Sequence, residues 1–105
     1  MRYTKNNWNK YFDGIGKKTT IRLRINKIKN HRCWAGSYFH PELLGTHDIT
    51  KVVPSKFGKL TEDDARNDGF KTLEELKTEL KKLNSKIKPE TDVYIHWVEN
   101  VVSVN

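Results

Sequence analysis

The residues Lys17, Lys18, Thr20 and Arg22 put two amines, a hydroxyl and a guanidinium within six positions, just behind Gly14 and Gly16. Such a set can cradle a phosphate, hold a lysine as a base beside a hydroxyl, or dress the outer face of a strand. A phosphate-binding P-loop requires a glycine five positions before its Gly-Lys pair and Ser or Thr straight after the lysine, but Tyr11 and Lys18 stand there. The dinucleotide fingerprint requires a third glycine where Thr19 stands. Both motifs lead from a strand into a helix, whereas this stretch leads from a helical pattern into an alternating one. The nucleotide-loop reading fails. The two readings that remain are a basic strand face and a lysine with a hydroxyl in a cleft.

The alternation decides what shares a face. Ile21, Leu23 and Ile25 alternate with Thr20, Arg22 and Arg24, the period of two that marks a strand with one buried side. An extended chain from Lys18 onward groups Lys18, Thr20, Arg22 and Arg24 on one face and Thr19, Ile21, Leu23 and Ile25 on the other. Ahead of it, Trp8, Tyr11, Phe12 and Ile15 have helical spacing and predict a helix ended by Gly14 or Gly16. Arg32 to Phe39 and Ile49 to Val53 read as further strands. His40 to Asp48, with Pro41 and Gly45, reads as a loop. Thr61-Glu62-Asp63-Asp64 predicts a short capped helix stopped by Gly69. Thr72-Leu73-Glu74-Glu75 carries a full capping box before the stripe Leu73, Leu76, Leu80 and Leu83. Asp92 to Val98 reads as a last strand, and 101–105 as a loose tail.

The 105 residues suit one domain, 1–105, without room for two cores. Cys33 is the single cysteine, which rules out an intrachain disulfide and fits a cytoplasmic, reducing compartment. No apolar run approaches the roughly 20 residues that span a bilayer, so the reading is soluble, with no membrane partner. His31, His40, His47 and His96 have no ligand spacing, and no metal or cofactor is expected. The net charge of +7 is concentrated in the first 60 residues, where 13 bases face only Asp13, Glu42 and Asp48. Cations that displace condensed counterions give salt-dependent affinity for nucleic acid. Aromatics beside the basic strands, Trp34 and Tyr38 among them, are suited to stacking an unpaired base.

Gly16-Lys17-Lys18-Thr19-Thr20-Ile21-Arg22, together with Leu60 to Phe70 and the following Leu73-Glu74-Glu75-Leu76, resembles the ASCH domains, a branch of the PUA-like superfamily. The family signature, G-x-K-x-x-T-x-R, is one residue short here. The resemblance implies an α+β fold, a small PUA-like β-barrel of about five to six strands flanked by an N-terminal helix and two helices before the last strand. It implies a cleft that takes RNA or a modified nucleoside. Some relatives are amidohydrolases that deacetylate acetylated cytidine with a lysine, a threonine and a glutamate, and others are reported as ribonucleases. Position by position the threonine is Thr20, the arginine Arg22, and the glutamate's place is held by Asp68. Counting back from Arg22 selects Lys17 as the lysine, and aligning the Lys-Thr pair selects Lys18. The period of two favours Lys18.

Three functions fit. In a binding module, Lys17, Lys18, Arg22 and Arg24 contact phosphates while Trp34 or Tyr38 stacks a base. In a hydrolase, Lys18 or Lys17, Thr20 and Asp68 converge on an acylated nucleoside. An accessory domain with a basic face for an acidic protein is the third, and no obligate protein partner is implied.

Overall fold

The computed structural model describes residues 1–26 and 30–104; the bases Lys27 and Lys29 and the terminal Asn105 lie outside them. The order is α1 (Lys5–Asn9), β1 (Thr19–Arg22), β2 (His31–Gly36), β3 (Pro41–Lys56), α2 (Glu62–Asn67), α3 (Leu73–Leu83) and β4 (Asp92–Ser103), with one 3-10 turn over Phe57–Lys59. The chain is an α+β fold. Its strands form one curled antiparallel sheet in the order β1-β4-β3-β2. Four strands are present among the described residues where five to six were expected, because β3 and β4 are single long strands of 16 and 12 residues.

Three local expectations change. Pro41 to Asp48 is strand rather than loop. Pro41 stands at the first position of β3, where a missing N–H is tolerated. The register shifts between Thr46 and Asp48 and between Ile49 and Lys51 interrupt the alternation that would have announced a strand. The segment predicted as a loose tail belongs to β4 through Ser103, and the Val104 N–H donates to the Leu44 carbonyl at 3.0 Å. The first helix is one short stretch capped by Thr4, whose hydroxyl accepts from the Asn7 N–H at 3.1 Å. Trp8 is buried, while Phe12 and Ile15, beyond the helix, are exposed.

The helix starts behave as capped ends, with the box in the other place. The reciprocal pair is Thr61 and Asp64, each side chain accepting from the other's N–H at 3.1 and 2.9 Å. Thr72 accepts from the Glu75 N–H at 3.2 Å, while the Leu73 N–H donates to the Glu62 carboxylate at 3.0 Å and so ties α3 to α2. The apolar side chains form two clusters. The larger joins Ile21, Val93 and Ile95 of the sheet to Ala65, Leu76 and Leu80 of the helices. The smaller joins Tyr3 and Trp8 to Cys33, Ala35 and Leu44. Among the described residues, no helix is long and apolar enough to cross a membrane.

Candidate functional site

A cavity of about 430 Å3 is bordered by residues of both clusters. Its walls come from the N-terminal segment (Arg2, Tyr3, Lys5), β1 (Thr20, Ile21, Arg22), the end of β2 (Ala35, Gly36) and α3 (Leu76, Leu80, Leu83). Lys17, Asp68, Phe70 and a second acid, Glu79 of α3, also line it. The volume lies in the range of small-ligand pockets, and the lining combines an apolar wall with a few polar groups.

Asp68 reaches this cavity because of how α2 ends. The Gly69 N–H donates to the Arg66 carbonyl at 3.0 Å and the Phe70 N–H to the Ala65 carbonyl at 2.9 Å. With Gly69 at φ +87°, this is a Schellman motif, which needs the left-handed conformation just past the helix. It leaves Asp68 as the cap residue just past the helix, only 4% exposed. One carboxylate oxygen meets the Lys17 ammonium, and the other accepts from the Ile21 N–H at 3.3 Å. The Lys17 ammonium also donates to the Asp68 carbonyl at 2.8 Å.

Lys17, not Lys18, is the lysine in the cleft. Gly16, at φ +83°, turns the chain before the strand, and pairing with β4 starts only at Thr19 opposite Trp97. The period of two therefore does not extend back to Lys18. Lys17 is 7% exposed against Asp68, while Lys18 is exposed. The Lys18 backbone joins elements instead: its N–H donates to the Asn67 carbonyl at 2.7 Å, and its carbonyl accepts from the Val98 N–H at 3.0 Å.

Thr20 and Arg22 do share a side, as the alternation requires. That side faces the cleft rather than open solvent. Thr20 is buried, and its hydroxyl accepts from Arg22 Nε at 2.9 Å. The Arg22 guanidinium lies over the Tyr3 ring, 4.6 Å from its centre. Arg24 is exposed beyond the end of β1, Trp34 is half-buried on β2, and Tyr38 is exposed at the β2–β3 connection; none of the three lines the cavity.

Behind Tyr3 lies a buried hydrogen-bonded chain whose members have no recognisable spacing in the sequence. The Tyr3 hydroxyl meets the Tyr11 hydroxyl at 2.7 Å and His47 Nε2 at 2.8 Å. His47 belongs to β3, not to a loop, and is fully buried. Burial lowers its pKa to about 4, so the ring is neutral near pH 7. Burial raises the Tyr3 phenol to about 12 and that of Tyr11 further still. His96, also neutral in character, is satisfied in the core: Nε2 accepts from the Asn26 N–H at 3.0 Å and Nδ1 meets the Tyr94 carbonyl at 2.9 Å.

The electrostatics of the cleft turn on the Lys17–Asp68 pair. Burial pushes the Lys17 amine down and the Asp68 carboxyl up, and their mutual attraction opposes both shifts. A buried ion pair with apolar neighbours contributes little to stability, since desolvation offsets the attraction. Strongly perturbed pairs in a cleft are instead associated with function.

No family model matches the chain, and no curated protein matches it. Among solved structures it is similar to the crystal structure of protein EF3133 from Enterococcus faecalis V583, described by the family model DUF984, with a TM-score of 0.58 at 16% identity. The alignment covers 95% of this chain and 68% of that one. The likeness is one of fold: a chain in which the same α+β arrangement stands on a largely different sequence.

Proposed function

We propose that the cleft binds a modified nucleoside and hydrolyses an acyl amide on its base. The observation that carries this is the meeting of Lys17 with Asp68, 51 positions apart, on a cavity wall that also holds Thr20. The acid and the threonine are those that the resemblance to ASCH domains implies, and Lys17 is the lysine that counting back from Arg22 selects. The same convergence supports reading the curled sheet as part of a PUA-like barrel. The single free cysteine supports a cytoplasmic setting.

Lys17, its ammonium destabilised by burial, is the base in its neutral form. The Thr20 hydroxyl accepts from Arg22 Nε and also lies in hydrogen-bond range of the Tyr3 phenol, and in this reading its proton passes to Lys17. The guanidinium beside it stabilises negative charge as that proton leaves. Thr20 attacks the acyl carbon while Lys17 takes its proton and returns it to the departing amine; a water, deprotonated by Lys17, then cleaves the acyl ester on Thr20, releasing the carboxylic acid and restoring the hydroxyl, and Asp68 keeps Lys17 oriented throughout.

The test is hydrolysis of N4-acetylcytidine and other acylated nucleosides, followed by chromatography. Thr20→Val should lower turnover at least 100-fold. The pair Lys17→Met with Asp68→Asn should do the same without stranding a buried charge. Lys18→Ala should stay within about twofold of the wild type. Equal losses in the Lys18 and Lys17 variants would contradict this assignment. A second reading, an RNA-binding module without turnover, is favoured by Arg2, Lys5 and Arg22 around the same cavity. It predicts salt-sensitive binding of RNA and no product.

A further inference from the structure

The connection from β2 to β3 breaks the usual chemistry of a tight turn. Ser37 and His40 close it: the His40 N–H donates to the Ser37 carbonyl at 3.2 Å and lies 3.1 Å from the Ser37 hydroxyl. Its two central positions are Tyr38 and Phe39. Glycine, proline, asparagine or aspartate normally stand there. The two rings are 81% and 82% exposed and contact each other edge to face, with centres 5.5 Å apart. Two adjacent bare aromatics on a turn contribute nothing to the core, and a local rule broken without structural compensation is expected at a functional position.

The place of this turn says what it would meet. Gly36, one residue before Ser37, lines the cavity. The backbone spans at most about 7 Å from Gly36 to Tyr38 and about 11 Å to Phe39, so the turn that carries the rings starts beside the cleft wall. The turn is anchored at its neck, where Arg2 Nη1 donates to the Gly36 carbonyl at 2.7 Å. Arg2, Lys5 and Arg22 line the cavity on this side. Lys5 is held by Glu42 at 2.9 Å, which leaves Arg2 and Arg22 as the cations without a carboxylate partner among the described ion pairs there. Exposed rings beside cations are the components of a single-strand binding surface, where bases stack and phosphates are neutralised.

We infer that Tyr38 and Phe39 form a second subsite that stacks the base next to the nucleoside held in the cleft, so that the ligand is a single-stranded oligonucleotide rather than a free nucleoside. This rests on the nucleoside reading of the cleft and adds the substrate class to it. The turn is closed and anchored before binding, so little ordering is needed when a strand arrives.

The experiment compares fluorescence titrations of cytidine and of a cytidine-containing RNA hexamer against the wild type and the double variant Tyr38→Ser, Phe39→Ser. Serine suits the turn, and both side chains are solvent-facing, so circular dichroism melting should be unchanged. We expect the hexamer to bind the wild type at least tenfold more tightly than cytidine. The double variant should lose about 10- to 100-fold for the hexamer and nothing for cytidine. Cytidine binding with no gain for the hexamer overturns the subsite and leaves the cleft reading standing. Hexamer binding that the double variant does not weaken also overturns it. Binding of neither probe overturns both readings. A wild-type dimer in size-exclusion chromatography that the double variant dissociates assigns the rings to a second copy of the chain, and also overturns the subsite.

Discussion

At the scale of single residues, the buried His47 gives the protein an acid-sensitive point. Its pKa falls from 6.5 in the unfolded chain to about 4 in the fold, so between these values the unfolded chain binds more protons. Stability from this group is complete above pH 6.5 and is lost as the pH falls toward 4. The loss is on the order of 1–3 kcal/mol after screening near the cleft. Thermal melting from pH 7 to pH 4 should show a falling midpoint in the wild type and a flatter one in His47→Gln; parallel curves would show that another group titrates. His47 also shows the limit of sequence reading here. A histidine between Gly45 and Asp48 carries no sign of burial, because its partner, the Tyr3 hydroxyl, is 44 positions away. Thr20 and Arg22, which strand phase puts on one face, and Asp68, which the resemblance names, all line the cavity. Lys17 rather than Lys18 lines the cavity because a period of two applies only where the chain is already extended, and Gly16 turns the chain just ahead of Lys17.

At the scale of elements, the turn after α2 positions the acid. Alanine at Gly69 would be held in a left-handed conformation, and its Cβ would stand 2.9 Å from Lys10 Cδ and 3.4 Å from Lys17 Cβ. We expect Gly69→Ala to cost about 1–2 kcal/mol in urea unfolding. It should also weaken turnover, because the crowded side chains are Lys10 and Lys17 itself. A fully active, equally stable variant would mean that the helix end does not set the geometry of the acid. Elements with caps or strict periodicity were legible: α2, α3, β1 and the first half of β4. Those that follow tertiary pairing were not. β3 runs through Pro41 and Gly45 because β2 and β4 flank it on both edges. β4 continues past Val98 because its partner β3 extends to Gly45. Neither cause is visible in a local window of sequence.

At the scale of the whole molecule, the cleft is bordered by two hydrophobic clusters rather than set in one. Ile21, Phe70, Leu76 and Leu80 on its lining belong to the larger cluster, while Tyr3 and Ala35 belong to the smaller. Clusters of this kind can open separately, each with its own free energy of exposure. A ligand that touches both binds only when both are closed, so it ties their opening together and adds its binding free energy to each. Native-state hydrogen exchange should therefore show two groups of protected amides in the free protein, one around Cys33 and Leu44 and one around Val93 and Ile95. A saturating ligand should slow both by the same factor. Slowing in one group alone would place the ligand on one wall. The molecule is then most cooperative when occupied, and the site serves as the seam that makes two small cores unfold as one.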